Sequence, residues 1–252
     1  MTLARRFYDS LDRVRWGRNE SPEAERVTAG WVQRETITGP SLELGCGVGL
    51  LAGAAPGYVG VDLAYGALRL ATGRMVQASM EELPFRDGSF RFLFSWAAIE
   101  HVPHPELVMR EIERVLGPRG VAILAPAWHC RPWAAEGLEF RSYRELSATQ
   151  RIRKALIPLR NALAWRAMFE APRRISREVR ALRRLPEFEY ERLEPDLVQY
   201  RGTDSDAFTS MDPHATILYF ARRRWEVLSH PTIRSRMLAR SEPVVVRKPP
   251  ET

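Results

Sequence analysis

Residues 42–49 read LELGCGVG, a short apolar run with an acid, followed by glycines at 45, 47 and 49. Alternate glycines let the backbone pass close to a ligand and turn its amides toward it. A second word, VGVDLA, ends its apolar run in Asp62, where a carboxylate can accept hydrogen bonds from both hydroxyls of a ribose. G-x-G-x-G differs from the G-x-G-x-x-G of dinucleotide folds, which makes room for a pyrophosphate, and it suits a nucleoside with a smaller, zwitterionic tail. Taken alone, the glycines also fit a plain strand-to-helix turn. Farther on, QYRGTDSDAFTSMDPHA gathers Asp204, Asp206, Asp212 and His214 within eleven positions. That density suits a polyhydroxylated substrate or a divalent metal, although Asp212, just before Pro213, reads as a helix cap.

These residues need elements to position them. The runs SLEL, YVGVDL, RMVQAS, FRFLFSW and GVAILAPA have strand character, and between them lie a short LLAGAA, AYGALRLAT and the strongly helical PELVMREIERVL. Such alternation predicts a parallel sheet covered by helices on both faces. In such a sheet a glycine turn leaving the first strand sits at the carboxyl edge, beside the crevice where strand order reverses and ligands bind. Upstream, Ser21 as cap, Pro22 at the first helical position and Glu23 in the first turn predict a helix to about Arg34.

Beyond Pro126 the pattern changes to arginine-rich helical stretches punctuated by Pro158, Pro172, Pro186 and Pro195, with no strand period. MDPHATILYFARRR then reads as a capped helix, and WEVLSH and EPVVVRK as two closing strands. The expected fold is therefore α/β and Rossmann-like: one domain with a seven-stranded, mostly parallel sheet. Residues 1–128 would form the cofactor core, 129–211 a helical substrate cap inserted before the last two strands, and 212–248 the end of the sheet.

No run of about 18 apolar residues occurs, and the opening MTLARRFYDSLDRVRW is too charged for a signal peptide. Cys46 and Cys130 make neither a disulfide framework nor a metal cluster, so no metal is expected and a reducing cytoplasm fits. The formal charge is +7, yet Arg141 to Arg184 holds 13 Lys or Arg against three Glu; this segment carries +10 and the remainder −3. Its cations alternate with Leu, Ile, Trp165 and Phe169. That pattern fits an interfacial helix on anionic lipid across 150–184, a channel for phosphorylated or nucleic-acid substrates, or an amphipathic lid with a solvated face.

Five words in order, LELGCGVG, GVDLA, ELPFRDGSFRFLFS, IEHVPHP and EIERVLGPRGVAIL, resemble class I S-adenosylmethionine-dependent methyltransferases. The resemblance runs from Leu42 to Ala127. It implies that Glu43 and the backbone of Gly45, Gly47 and Gly49, with Cys46 inside the loop, surround the methionine part of the cofactor. Asp62 would take the ribose hydroxyls, Leu63 would lie beside the adenine, and Ser79, Met80 and Glu81 would line the adenine edge. Ser79 stands where relatives often carry an acid, Arg91 where they carry Asp, and Arg119 replaces the first glycine of a PGG turn. Only about nine residues separate Gly49 from the second strand, so the first crossover helix must be short.

Methyl transfer from a sulfonium is an in-line substitution that needs alignment and, for a hydroxyl acceptor, removal of a proton. His101 at the edge after FLFSWAAIE is the expected base, with His104 and His129 nearby and Asp206 as a second catalytic candidate. The expected activity is methylation of a hydroxyl on a small molecule, sugar or lipid-linked glycan by a cytoplasmic enzyme with room for a peripheral place on the inner membrane surface. RNA as acceptor ranks behind these, because no nucleic-acid module is present. A cofactor-binding protein without catalysis is the alternative from another class.

Overall fold

The computed structural model describes residues 3–10, 22–198 and 204–251. Five apolar runs become the parallel strands β1 (Ser41–Leu44), β2 (Tyr58–Asp62), β3 (Met75–Gln77), β4 (Phe90–Trp96) and β5 (Leu116–Ala125). β6 (Tyr190–Arg192) and β7 (Thr209–Met211) form a separate antiparallel ribbon. β8 (Glu226–Val227) and β9 (Val244–Arg247) return to the main sheet, whose order is β3-β2-β1-β4-β5-β9-β8. Only β9 runs against its neighbours, pairing Val121 with Arg247 on one side and Val227 with Val246 on the other. All four residues of β1 are buried, as expected of a central strand covered on both faces, so its sequence does not alternate.

Helices α1 (Leu3–Asp9) and α2 (Pro22–Arg34) precede the sheet. Pro22 opens α2, with Glu23 and Glu25 in its first turn, whereas the proposed cap Ser21 lies outside the described residues. LLAGAA does not form a helix: residues 47–57 are successive turns, and the next crossover keeps only α3 (Tyr65–Leu68). Gly53, Pro56 and Gly57 interrupt a connection already too short for a helix and its return. The face left open is covered by α2, whose Ala24 joins Leu51 and Ala54 against Phe92, Phe94 and Ile123.

The other face is covered by α4 (Pro105–Val115), which buries Val108, Met109, Ile112 and Val115 at helical spacing. It is joined there by α9 (Pro213–Arg222), with Ile217 and Phe220 in the same cluster. Between β5 and β6 run α5 (Pro132–Ala135), α6 (Ala148–Ala155), α7 (Ile157–Asn161) and α8 (Leu163–Arg183). The ribbon β6–β7 was not visible as a strand period, because three residues per strand leave no room for alternation. A last helix, α10 (Ile233–Leu238), joins β8 to β9.

Candidate functional site

The ends of four parallel strands meet at a cavity of about 330 Å³. Its wall takes Gly45 to Gly47 from the turn after β1, Asp62 and Leu63 from β2, Trp96 to Ala98 from β4, and Ala125 to Ala127 from β5. This is the crevice where strand order reverses between β1 and β4.

The glycine turn is held by the acid of the neighbouring strand. Asp62 Oδ2 accepts from the Gly47 amide at 2.8 Å and Oδ1 from the Ala64 amide at 2.8 Å. Burial pushes the Asp62 carboxyl up, and the amides of Ala64 and Gly47 only partly offset it. Glu43 is also buried and accepts a short hydrogen bond from the Tyr58 hydroxyl; burial outweighs that bond and pushes its carboxyl up to about 8. Gly45 has φ +73°, and a Cβ there would stand 2.2 Å from the Ala98 Cβ. Ala97 beside it has φ +45°, a strained conformation for a residue with a side chain, in the wall itself.

The same cavity is lined by His101, in a 3-10 turn spanning Ile99–His101. Its Nδ1 is 3.4 Å from Asp206 Oδ2, and its Nε2 is 3.7 Å from Oε1 of the fully buried Glu100. Burial alone would lower the imidazole pKa, but Asp206 and Glu100 outweigh it and leave the pKa raised. Asp206 arrives from the return limb of the segment after β5. That limb is fixed to the turn, since Phe208 donates its amide to the Glu100 carbonyl at 2.9 Å and Thr209 its hydroxyl at 3.3 Å. Tyr8 closes the cavity from α1, its ring edge-on to His101 at 6.0 Å between centroids. Burial and the acids Asp206, Glu100 and Asp62 push its phenol upward, so it keeps its proton. Asp9 anchors the same helix by accepting from the Gly66 amide at 3.1 Å.

Of the residues expected around a cofactor, Glu43, Gly45, Cys46, Gly47, Asp62, Leu63, Ser79 and Met80 line the cavity together with His101. Three expected residues do not. Gly49 closes the turn behind the wall, donating to the Cys46 carbonyl at 2.8 Å with φ +75°. Glu81 is turned away, and its Oε1 accepts from the His104 amide at 2.8 Å. Asp206 is not part of the wall; it lies beside His101, its Oδ2 3.4 Å from the ring Nδ1. Asp212 caps α9 as its place before Pro213 predicts, accepting from the His214 amide at 3.0 Å. Among the described residues, no group of three His, Cys, Asp or Glu could hold a metal ion. Sequence reasoning missed Tyr8, Glu100 and Trp96. Nothing in MTLARRFYDS marks a residue that folds back over a sheet edge, whereas Glu100 is next to His101 in the sequence and its full burial is what sets it apart from a solvated acid.

A seven-stranded sheet with one reversed strand and a glycine turn at its switch point is the fold of class I methyltransferases, whose cofactor is S-adenosyl-L-methionine. Residues 42–124 match the family described as a methyltransferase domain. An uncharacterized methyltransferase from Mycobacterium sp. (strain JLS) is 34% identical over 133 residues, which cover 48% of this chain and 49% of that protein. The chain thus spans about half the length of that relative. Among solved structures, one from Methanococcus maripaludis assigned to the S-adenosyl-L-methionine-dependent methyltransferases is 13% identical over 90% of this chain and 86% of its own, with a TM-score of 0.43. An amino pentose methyltransferase from Micromonospora echinaspora is 22% identical over 44% of this chain and 53% of its own, with a TM-score of 0.40.

The wall fits that cofactor on its own chemistry. Glu43 and Asp62 are desolvated carboxylates that a cation would relieve, and the cradle at Gly45 has no space even for a methyl group.

Proposed function

We propose that the protein transfers a methyl group from S-adenosyl-L-methionine to a hydroxyl of a small molecule, sugar or lipid-linked glycan. The single observation that carries this reading is that the Asp62-braced glycine turn and the Asp206-backed His101 face one cavity. Glu43, the turn from Gly45 to Gly47, Asp62, Leu63, Ser79 and Met80 would hold the cofactor, which supplies an already electrophilic methyl.

The remaining work falls to the chain. A hydroxyl is a poor nucleophile until its proton is taken, and an imidazole fixed by a carboxylate is suited to take it. Asp206 and Glu100 raise the proton affinity of His101 and stabilise the imidazolium that results. An amine that arrives neutral already offers a lone pair and would not need this pair, which favours oxygen over nitrogen. Tyr8, Trp96 and Leu50 restrict water over the same space.

Titration calorimetry with S-adenosyl-L-methionine, S-adenosylhomocysteine and NAD tests the cofactor; binding of NAD alone would overturn the reading. For the base, His101→Ala should cut release of S-adenosylhomocysteine with a hydroxylated acceptor by about 10²–10⁴-fold and leave cofactor affinity within a few-fold. Asp206→Asn should lower turnover less and shift the pH profile, as a positioning residue does. Unchanged turnover in both variants would leave the mechanism without a base.

A further inference from the structure

Helix α8 is turned inside out. Its polar side faces the protein: Arg174, 4% exposed, donates to the Met237 carbonyl at 2.7 Å and to Asp212 Oδ1 at 3.0 Å. Arg177 binds Asp212 and Glu189, and Glu178 Oε1 lies 3.3 Å from His214 Nε2. The apolar side points outward. Met168, Ile175, Val179 and Leu182, spaced 7, 4 and 3 residues apart, form one stripe with exposures of 66%, 56%, 47% and 75%. Trp165 and Phe169, with ring centroids 4.6 Å apart, flank it and are exposed too.

Charge on the outer side has one sign. Between residues 146 and 186 the only acids are Glu170 and Glu178, both half-buried and paired, Glu170 with Arg166 at 3.0 Å. Every exposed charged side chain in that span is an arginine. A 21-residue helix is about 31 Å long, so the stripe is a long apolar strip framed by guanidinium groups. Against a second copy of the chain these arginines would repel one another, and a nucleic acid would leave the aliphatic stripe in water. An anionic bilayer satisfies both features: aliphatic and aromatic side chains enter the boundary between headgroups and acyl chains, while arginines meet lipid phosphates. No helix among the described residues is long and apolar enough to cross a membrane, so the contact is peripheral.

We propose that the outward face of α8 is a docking surface for an anionic lipid membrane. This surface is separate from the cavity, and its test does not depend on methyl transfer. The full chain should co-sediment with vesicles of phosphatidylcholine and phosphatidylglycerol, release at high salt, and bind phosphatidylcholine vesicles weakly. Ile175→Glu with Leu182→Glu should reduce that binding at least about tenfold while leaving the melting temperature unchanged, because both side chains are exposed. Arg173→Glu with Arg183→Glu should weaken binding through charge alone, independently of the stripe. The proposal is overturned if the wild-type chain does not sediment, or if neither pair of substitutions changes sedimentation. It is also overturned if single-stranded RNA competes the protein off the vesicles, or if the wild type is a dimer in sedimentation velocity that the Ile175→Glu, Leu182→Glu variant dissociates.

Discussion

Gly45 and Gly53 lie eight residues apart in one connection and have opposite tolerance for a side chain. At Gly45 a Cβ would meet the Ala98 Cβ at 2.2 Å with φ +73°, while at Gly53 nothing lies within 4 Å. Gly45→Ala should therefore destabilise by about 2–4 kcal/mol, combining left-handed backbone strain with overpacking, and should abolish cofactor binding. Gly53→Ala should change denaturant stability by less than about 0.5 kcal/mol. Equal midpoints for the two variants in urea would refute the assignment of Gly45 to a closed cradle. The glycines and Asp62 were legible because the backbone itself demands them: one carboxylate, two amides, one turn. Glu81 was not, since the same word that lines the cavity with Ser79 and Met80 continues one residue farther to the His104 amide.

At the scale of elements, the separated words of the sequence prove to be two halves of one joint. Glu111 accepts from the Leu83 amide at 2.6 Å, and Arg114 donates to the carbonyls of Phe85 and Leu83, so EIERV at the end of α4 clamps the loop of ELPF. The five parallel strands and the closing β8–β9 pair were legible for a similar reason, as apolar runs announce buried strands, whereas their order in the sheet is not written in those runs. The orientation of α8 was not. Periodicity reveals that a helix has an apolar stripe but not which way it faces, and the usual assumption turns it inward. What holds α8 in reverse is Asp212, whose carboxyl burial would push up but Arg174 and Arg177 hold below the usual range. Because its folded value is depressed, its contribution is present above the ordinary carboxylate range and is lost as pH falls through the folded value. Asp212→Ala leaves Arg174 buried without its carboxylate and should cost about 3–5 kcal/mol, read by chemical denaturation. A loss below about 1 kcal/mol, the range of exposed pairs, would show that the ion pair does not hold the helix.

Across the whole molecule, charge is segregated. The segment Arg141–Arg184 carries +10, while the cavity is walled or backed by Glu43, Asp62, Glu100 and Asp206. Burial pushes Glu43 up to about 8 and raises Asp62 and Glu100 as well. An acid raised in the fold keeps its proton where the unfolded chain has lost it, so Glu43 makes the empty protein less stable as pH climbs from about 4.5 to 8. A sulfonium and an ammonium brought to these carboxylates favour their ionised forms and lower those values. Binding of S-adenosyl-L-methionine must then expel protons, and its affinity should rise with pH through the same window by at most about tenfold per unit for each proton released. S-adenosylhomocysteine lacks the sulfonium charge, so its affinity should climb less steeply. Calorimetry in two buffers of different ionisation enthalpy counts the protons directly. A pH-independent affinity with no proton release would mean that the raised acids do not meet the cation, and the cofactor would have to lie elsewhere in the cavity.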